Sequence, residues 1–450
     1  MLLSEVAALF ACKVSESDVV IKSVSTDTRS IGSGDLFVAL KGENFDGNEY
    51  VEKAAEKGAV AAIVDGDVVA EGIVLIKVDD TRLALGKLAT YWRKQLDLKV
   101  IGLTGSNGKT TVKEMIACIL SEVGKVTSTA GNFNNDIGLP LTLLQMKPEH
   151  EYAVIEMGAN HSGEIAYLTS LTRPDVAILN NAAPAHLEGF GSMQGVAEAK
   201  GEIFSGLSED GVAVINQDDK YAGYWLSLCK NYKKIKFGLS AEADVSTDVA
   251  AENYDGCFTL KTQNGDVEIN LKVLGFHNLK NALAASAASL ALNIGLKDIK
   301  AGLEKFSGVK GRLQVSKAAN DSVIIDDTYN ANPSSMKAAI DVLSALTKRS
   351  VLVLGDMGEL GDDAESLHDD IGRYAKEKNI NTVMTLGVLA RHAAESFGEN
   401  GFSYSDKDQL IKDVCLQLGN DVAVLVKGSR SMHMEDVITA LIDNNNSGAA

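Results

Sequence analysis

The chain of 450 residues has a formal charge of −18, is 45% apolar, and holds 41 glycines against five prolines. That length predicts two to four domains, each with its own core, and the acidic balance excludes a nucleic-acid-binding protein, which needs a basic face. Any anionic substrate must therefore be met by local cations and backbone N–H groups. No basic stretch followed by an apolar run opens the sequence, so no secretory signal is expected. The apolar run "ALAASAASLALNI" is too short to span a bilayer, so no membrane insertion is expected either. Cys12, Cys118, Cys229, Cys257 and Cys415 are scattered with no C-x-x-C, which reads as reduced thiols in a cytoplasmic protein.

Residues 1–80 hold short strands and two helical stretches around the polar turn "STDTRSIGSGDLF". From 81 to 310, apolar strands such as "KVIGLTG", "YAVIEMG", "VAILNN" and "GVAVINQD" alternate with helical segments, the pattern of a mainly parallel sheet covered on both faces. From 311 to 450 the pattern recurs on a smaller scale in "SVIIDDTYNANP", "SVLVLGDMGELG", "NTVMTLG" and "VAVLVKGSR", which predicts a second doubly wound, Rossmann-like sheet. The terminal "NNNSGAA" has nothing to bury and is expected to fray. The fold class is thus α/β in three domains. In such sheets ligands sit beyond the carboxyl ends of the strands, where polar residues cluster: Thr104–Thr110, Glu156, 180–186, Asp326–Asn332, Asp356–Glu359 and Lys427–Arg430. Two sheets with polar rims predict an interdomain cleft and an enzyme.

The stretch "KVIGLTGSNGKTTVKEMIACIL" resembles a phosphate-binding loop but misses the common spacing, because Leu103 stands where the first glycine belongs. A buried strand still runs into a glycine-rich turn and then a helix. Gly105, Ser106, Asn107 and Gly108 can bring N–H groups against phosphate oxygens, with Lys109 along the β and γ phosphates and Thr110 and Thr111 opening the helix. The Thr110 hydroxyl suits Mg²⁺, and Glu156, ending the next apolar strand, is a hard oxygen ligand for the same ion. The plainer reading is a strand–helix turn followed by a surface lysine. His186 has no second His or Cys at zinc spacing, so no zinc site is expected, and Lys200 alone reads as a solvated lysine.

Taken together, the motifs resemble the Mur ligase family of ATP-dependent peptide-bond-forming enzymes. They include "TGSNGKT", "STDTRSIGSGDLFVALKGENFDG", "GNFNNDIGLP", "EMGAN", "GFHNLKNALAA", "DDTYNANPSSM", "LGDMGELG" and "VKGSRSM", and they cover essentially the whole chain. The family's own loop reads T-G-x-N-G-K-T, which accounts for Leu103. "DDTYNANPSSM" and "GDMGELG" point to the member that adds D-alanyl-D-alanine to UDP-N-acetylmuramoyl-tripeptide, by way of an acyl phosphate. The resemblance implies a small N-terminal UDP-binding domain, a central ATPase-like domain and a C-terminal domain that closes on it, acting as a monomer with ATP and Mg²⁺. It implies that Thr28, Arg29, Asp46 and Gly47 grip the UDP-sugar, and that Asn134 and Asn135 line the acceptor side. Lys109, Thr110 and Glu156 would serve phosphate and metal. His186 would help to hold a second metal, and Lys200 falls where some relatives carry a carbamylated lysine. His277, Asn278 and Asn281 match an adenine-contacting motif, while Arg312 and Asp327 match positions that touch ATP from the last domain. Tyr329, Asn330, Asn332, Asp356, Met357 and Glu359 fall to the dipeptide side. Two positions depart from many relatives: Asn48 replaces a His after "FDG", and Asp136 stands where Glu is common. The competing readings are another amino-acid-adding ligase of the family, an ATP-driven switch module, and a UDP-sugar binder without chemistry.

Overall fold

The computed structural model describes residues 1–13, 18–184, 187–251, 254–273, 275–318 and 321–447; His186 lies outside them. The first sheet runs Val24–Ser25, Leu36–Val38, Ala61–Val64, Val74–Lys77, all parallel. Its two central strands are buried along their whole length, as expected of a sheet covered on both faces. The helix Thr81–Lys94 starts where the Asp80 carboxylate accepts from the Leu83 N–H (2.9 Å). It lays Ala84, Leu85 and Leu88 on the first core and Ala89 on the second, so one helix ties the N-terminal domain to the next.

The second sheet has nine strands among the described residues. Lys99–Thr104 is the third strand from one edge, between Val176–Leu179 and Tyr152–Glu156, and is parallel to both. The helix that follows, Lys109–Leu120, packs on Phe276–Ala291, whose alanines and serines permit a close approach in the core. Ser286 and Ser289 donate to the carbonyls of Ala282 and Ala285, which satisfies their hydroxyls without a polar partner elsewhere. Among the described residues no helix is long and apolar enough to cross a membrane. The strand Val245–Ser246 joins this sheet parallel to Lys233–Phe237, and the hairpin Cys257–Thr262/Gly265–Asn270 extends it antiparallel, a departure from simple strand–helix alternation.

The third sheet, of six strands, is parallel except for its edge strand Gln314–Lys317. The helix Pro333–Ser344 is set by a capping box, with Asn332 accepting from the Ser335 N–H and Pro333 at the first turn. The chain is thus a three-domain α/β protein built on parallel sheets. The final helix runs to Ser447, further than the polar tail led one to expect, because Val437, Ile438 and Leu441 bury its preceding turns. All five cysteines are free thiols.

Candidate active site

The strand Lys99–Thr104 stays buried through Leu103, so the turn begins only at Gly105. Gly108 caps the following helix with φ +79°, and a Cβ there would lie 2.4 Å from Asn281 Oδ1 and 2.7 Å from Asn180 Nδ2. Only glycine fits such a site. The turn is clamped from the neighbouring strand end. Asn181 Oδ1 accepts from the Asn107 N–H (2.9 Å), and the side-chain amides of Asn180 and Asn181 both donate to the Asn107 carbonyl (2.9 and 3.1 Å). Ser106 Oγ donates to the Ala183 carbonyl and accepts from its N–H. Lys109 Nζ curls back to donate to the Gly105 carbonyl at 2.7 Å. The Ser106 and Asn107 N–H groups are thus both donated to Asn181, and what the turn offers an anion is the first turn of the helix Lys109–Leu120 with a lysine folded across it.

Glu156 ends the adjacent strand and is 2% exposed. Its Oε1 accepts from Asn134 Nδ2 (2.8 Å), while Oε2 is buried without a hydrogen-bond partner. Burial lowers the Lys109 amine from its ordinary value and Arg312 adds to that, with Glu156 acting in the opposite sense. Lys200, 2% exposed, has its ammonium pushed well down by burial and then by Lys109. The sequence had suggested a solvated lysine at 200; the helix Met193–Gly201 instead turns it inward, with Nζ 5.7 Å from the centre of the Phe190 ring. Among the described residues no group of three or more His, Cys, Asp or Glu could hold a metal by itself.

These groups open onto a cleft of about 1040 Å³ walled by the central and last domains, with Arg82 and Leu83 contributed by the helix Thr81–Lys94 that ties the first domain to the second. Of the residues singled out in sequence, Ser106, Asn107, Lys109, Asn134, Asn135 and Glu156 line it from the centre, and Arg312, Tyr329, Asn330, Asn332 and Glu359 from the last domain. The two walls touch where Asn332 Nδ2 donates to Asn107 Oδ1 (2.7 Å). The Arg312 guanidinium stacks 4.2 Å from the Tyr329 ring centre. Asp327 is buried and paired with Lys427 at 2.6 Å; Lys427 also donates to the Asn330 carbonyl. His277 opens the helix behind the loop, where burial pushes its pKa down to about 4, while Asn281 Nδ2 donates to Asn278 Oδ1.

Other predicted residues lie off the cleft lining. Thr28, Arg29, Asp46 and Gly47 belong to the N-terminal domain; Arg29 is paired with Asp27, and Asp46 edges a separate pocket of about 410 Å³ with Lys41 and Asn48. Gly47 packs so closely that a Cβ would lie 2.5 Å from the Leu40 carbonyl oxygen. Asp356 accepts from the N–H groups of Leu389 and Ala390, and Met357 is core, so both shape the loop from behind while Glu359 reaches the lining. Sequence reading gave no roles to Asn180, Asn181 and Lys427, although each stood in a marked strand-end cluster. It noted Asp136 only as a departure and passed over Arg82; the two form an ion pair on the cleft wall (3.1 Å).

Comparison with known proteins covers nearly the full length of the chain. Family models described as the Mur ligase catalytic domain, the Mur ligase middle domain and the Mur ligase glutamate ligase domain match residues 20–93, 103–289 and 311–430. The UDP-N-acetylmuramoyl-tripeptide–D-alanyl-D-alanine ligase of Escherichia coli (strain K12) is 45% identical over 98% of this chain and 98% of its own. A crystal structure of MurF from Acinetobacter baumannii, 38% identical, superposes with a TM-score of 0.90 over 97% of this chain and 98% of that one. MurF ligase from Thermotoga maritima in complex with ADP, 28% identical, gives 0.86 over 96% and 100%. Shared sequence and shared architecture from end to end lead to one conclusion: the chain belongs to the Mur ligase family.

Proposed function

We propose that the chain is an ATP-dependent amide ligase that joins D-alanyl-D-alanine to UDP-N-acetylmuramoyl-tripeptide, yielding the pentapeptide precursor of peptidoglycan, as the names of its full-length relatives describe. The observation that carries the reading is one cleft in which Lys109 and Glu156, whose Oε2 has no hydrogen-bond partner among the described residues, share the lining with residues of the last domain.

The chemistry follows from what a carboxylate needs before an amine can attack it. Transfer of the γ-phosphoryl group of ATP to the tripeptide carboxylate frees ADP and leaves an acyl phosphate. The dipeptide amine adds to that carbonyl, loses a proton, and phosphate departs. No nucleophile is required of the protein. The loop N–H groups and Lys109 stabilise charge on the transferring group, and Arg312 acts from the facing wall. Bound Mg²⁺ would neutralise phosphate oxygens. A buried carboxylate oxygen without a partner fits a hard cation, so Glu156 and the Thr110 hydroxyl are the residues we assign to it. By resemblance His186 and Lys200 serve a second ion. Burial disfavours the Lys200 ammonium, and since the neutral amine is the form that adds CO₂ and releases a proton, Lys200 is suited to carbamylation.

We assign the UDP-sugar to Thr28, Arg29, Asp46 and Gly47, and adenine to His277, Asn278 and Asn281. Asp327 sits on the ATP side of the last domain. The dipeptide falls to Tyr329, Asn330, Asn332 and the loop of Asp356, Met357 and Glu359. Boundaries near 80 and 310, a cytoplasmic setting and a monomer belong to the same proposal. The test is phosphate release from Mg-ATP with each acceptor omitted in turn, and mass spectrometry of the product. Release that needs both acceptors and gives the joined peptide supports the ligase. Release indifferent to both sinks it and favours an ATP-driven switch.

A further inference from the structure

Arg82 and Asp136 face each other across the junction of the first two domains, Nη1 to Oδ2 at 3.1 Å, and both line the cleft. Their side chains remain 51% and 36% exposed. An ion pair that open contributes little to stability, so it is poorly explained as a strut between domains. It is also held in position. Arg82 lies one helical turn before Gly86, where a Cβ would sit 2.2 Å from Tyr167 Oη, so the helix Thr81–Lys94 rests directly on the helix carrying Tyr167. Asp136 follows Asn134, the partner of Glu156, by two residues, which keeps its Cα within about 7 Å of that of Asn134. Glu164, the next carboxylate on this wall, is committed to the N–H groups of Asn160 and His161.

We propose that Arg82 and Asp136 form the subsite that reads the side chain of the tripeptide's last residue, and that they favour a zwitterionic amino-acid head, as in diaminopimelate, over the lone ammonium of lysine. The inference rests on the ligase reading. With the reacting carboxylate near Lys109 and Glu156, a side chain of three methylenes carries its second centre about 5 Å further on, the scale on which Asp136 stands from Asn134. There the ligand carboxylate takes the Arg82 guanidinium and the ligand ammonium takes Asp136. One internal ion pair is exchanged for two across the interface. A lysine side chain satisfies Asp136 and leaves Arg82 without its partner, and a binding site rejects an analogue that strands its charged group.

The test is steady-state ligation by the full-length chain, with saturating Mg-ATP and D-alanyl-D-alanine and with tripeptides ending in diaminopimelate or lysine. Wild type should prefer the diaminopimelate tripeptide by ~10-fold or more in kcat/KM, carried mainly in KM. Arg82→Gln should bring the ratio of the two substrates close to one, Arg82→Lys should keep part of it, and Asp136→Asn should raise KM for both. A wild-type ratio near one overturns the inference. So does a loss in Arg82→Gln that is equal for both tripeptides, the mark of an interdomain strut. If neither tripeptide is joined in an ATP-consuming reaction, the ligase reading itself fails and this inference falls with it.

Discussion

Replacing Glu156 by Gln separates what this residue does for the fold from what it does for the reaction. The carboxylate is buried, with Oε1 held by Asn134 and Oε2 without a partner. A buried polar group left unpaired costs on the order of 1–3 kcal/mol, more when charged. Gln keeps the shape and the oxygen that Asn134 needs, and it removes the charge. Folding stability in the absence of ligands should therefore hold within ~1 kcal/mol or rise. Activity should move the other way. On the proposed assignment the lost carboxylate holds the cation that neutralises the transferring phosphoryl group, and removing one contact that stabilises developing charge typically costs about 10²–10³-fold in kcat, roughly 3–4 kcal/mol. Loss of the Glu156 charge also withdraws the influence that opposes the lowering of the Lys109 amine by burial.

Urea unfolding followed by far-UV circular dichroism reads the first quantity, and phosphate release under saturating substrates reads the second. Far-UV signal is the better probe because the only two tryptophans, Trp92 and Trp225, lie outside the last domain. A variant with kcat within ~3-fold of wild type would refute the assignment. So would a fall in stability large enough to account for the lost activity, since Glu156 would then be a structural residue.

Three further outcomes follow from the same geometry. Gly108→Ala places a methyl against Asn281 and Asn180 at positive φ; the left-handed conformation alone costs ~1–2 kcal/mol, so nucleotide affinity measured by titration should fall at least ~10-fold while the far-UV spectrum is kept. Lys427→Met strands the Asp327 carboxylate inside the last domain, and breaking such a pair should cost about 3–5 kcal/mol in urea unfolding; an unchanged midpoint would show the pair to be dispensable. His277 has a folded pKa of about 4 against an ordinary 6.5, so the unfolded chain takes up its proton first and stability is lost as pH falls from about 6.5 to 4, by ~2–3 kcal/mol in all. His277→Gln should flatten that part of the stability–pH curve, and an unaltered slope would mean that other groups produce it.

Much of the scaffold was legible because its signals are local. Apolar runs of strand length ending in glycine or asparagine gave the parallel strands of both large sheets, whereas the helix start at Asn332-Pro333 with Ser335, a local capping signal, went unread. The hairpin Cys257–Thr262/Gly265–Asn270 had a signal too, Asn264-Gly265 between alternating residues, but the surrounding strand–helix rhythm masked it. Lys200 is different: taken alone it reads as solvated, and only the family resemblance set it in the site. Its burial depends on which face of a short, weakly patterned helix meets the core, and on Phe190 at the end of the helix Leu187–Phe190.

The loop's odd spacing has a structural answer. In the common pattern the early glycine starts the turn, whereas here Leu103 is a fully buried strand residue paired on both sides, so the strand runs one residue further, to Thr104. The turn that remains is four residues long, from Gly105 to Gly108, and it borrows its rigidity from Asn180 and Asn181, more than seventy residues away in sequence. The same dependence on distant residues explains why the cleft itself was only outlined in sequence. Its closing contact, Asn332 to Asn107, spans 225 positions, and no periodicity or spacing encodes it. That contact puts the last domain's helix cap directly on the phosphate loop. An anion seated at the loop would lie beside this contact, so we expect nucleotide binding to be coupled to closure of the last domain, which is what an enzyme needs if its activated intermediate must be kept from water. Small-angle scattering unchanged by an ATP analogue plus sugar-peptide would refute that coupling.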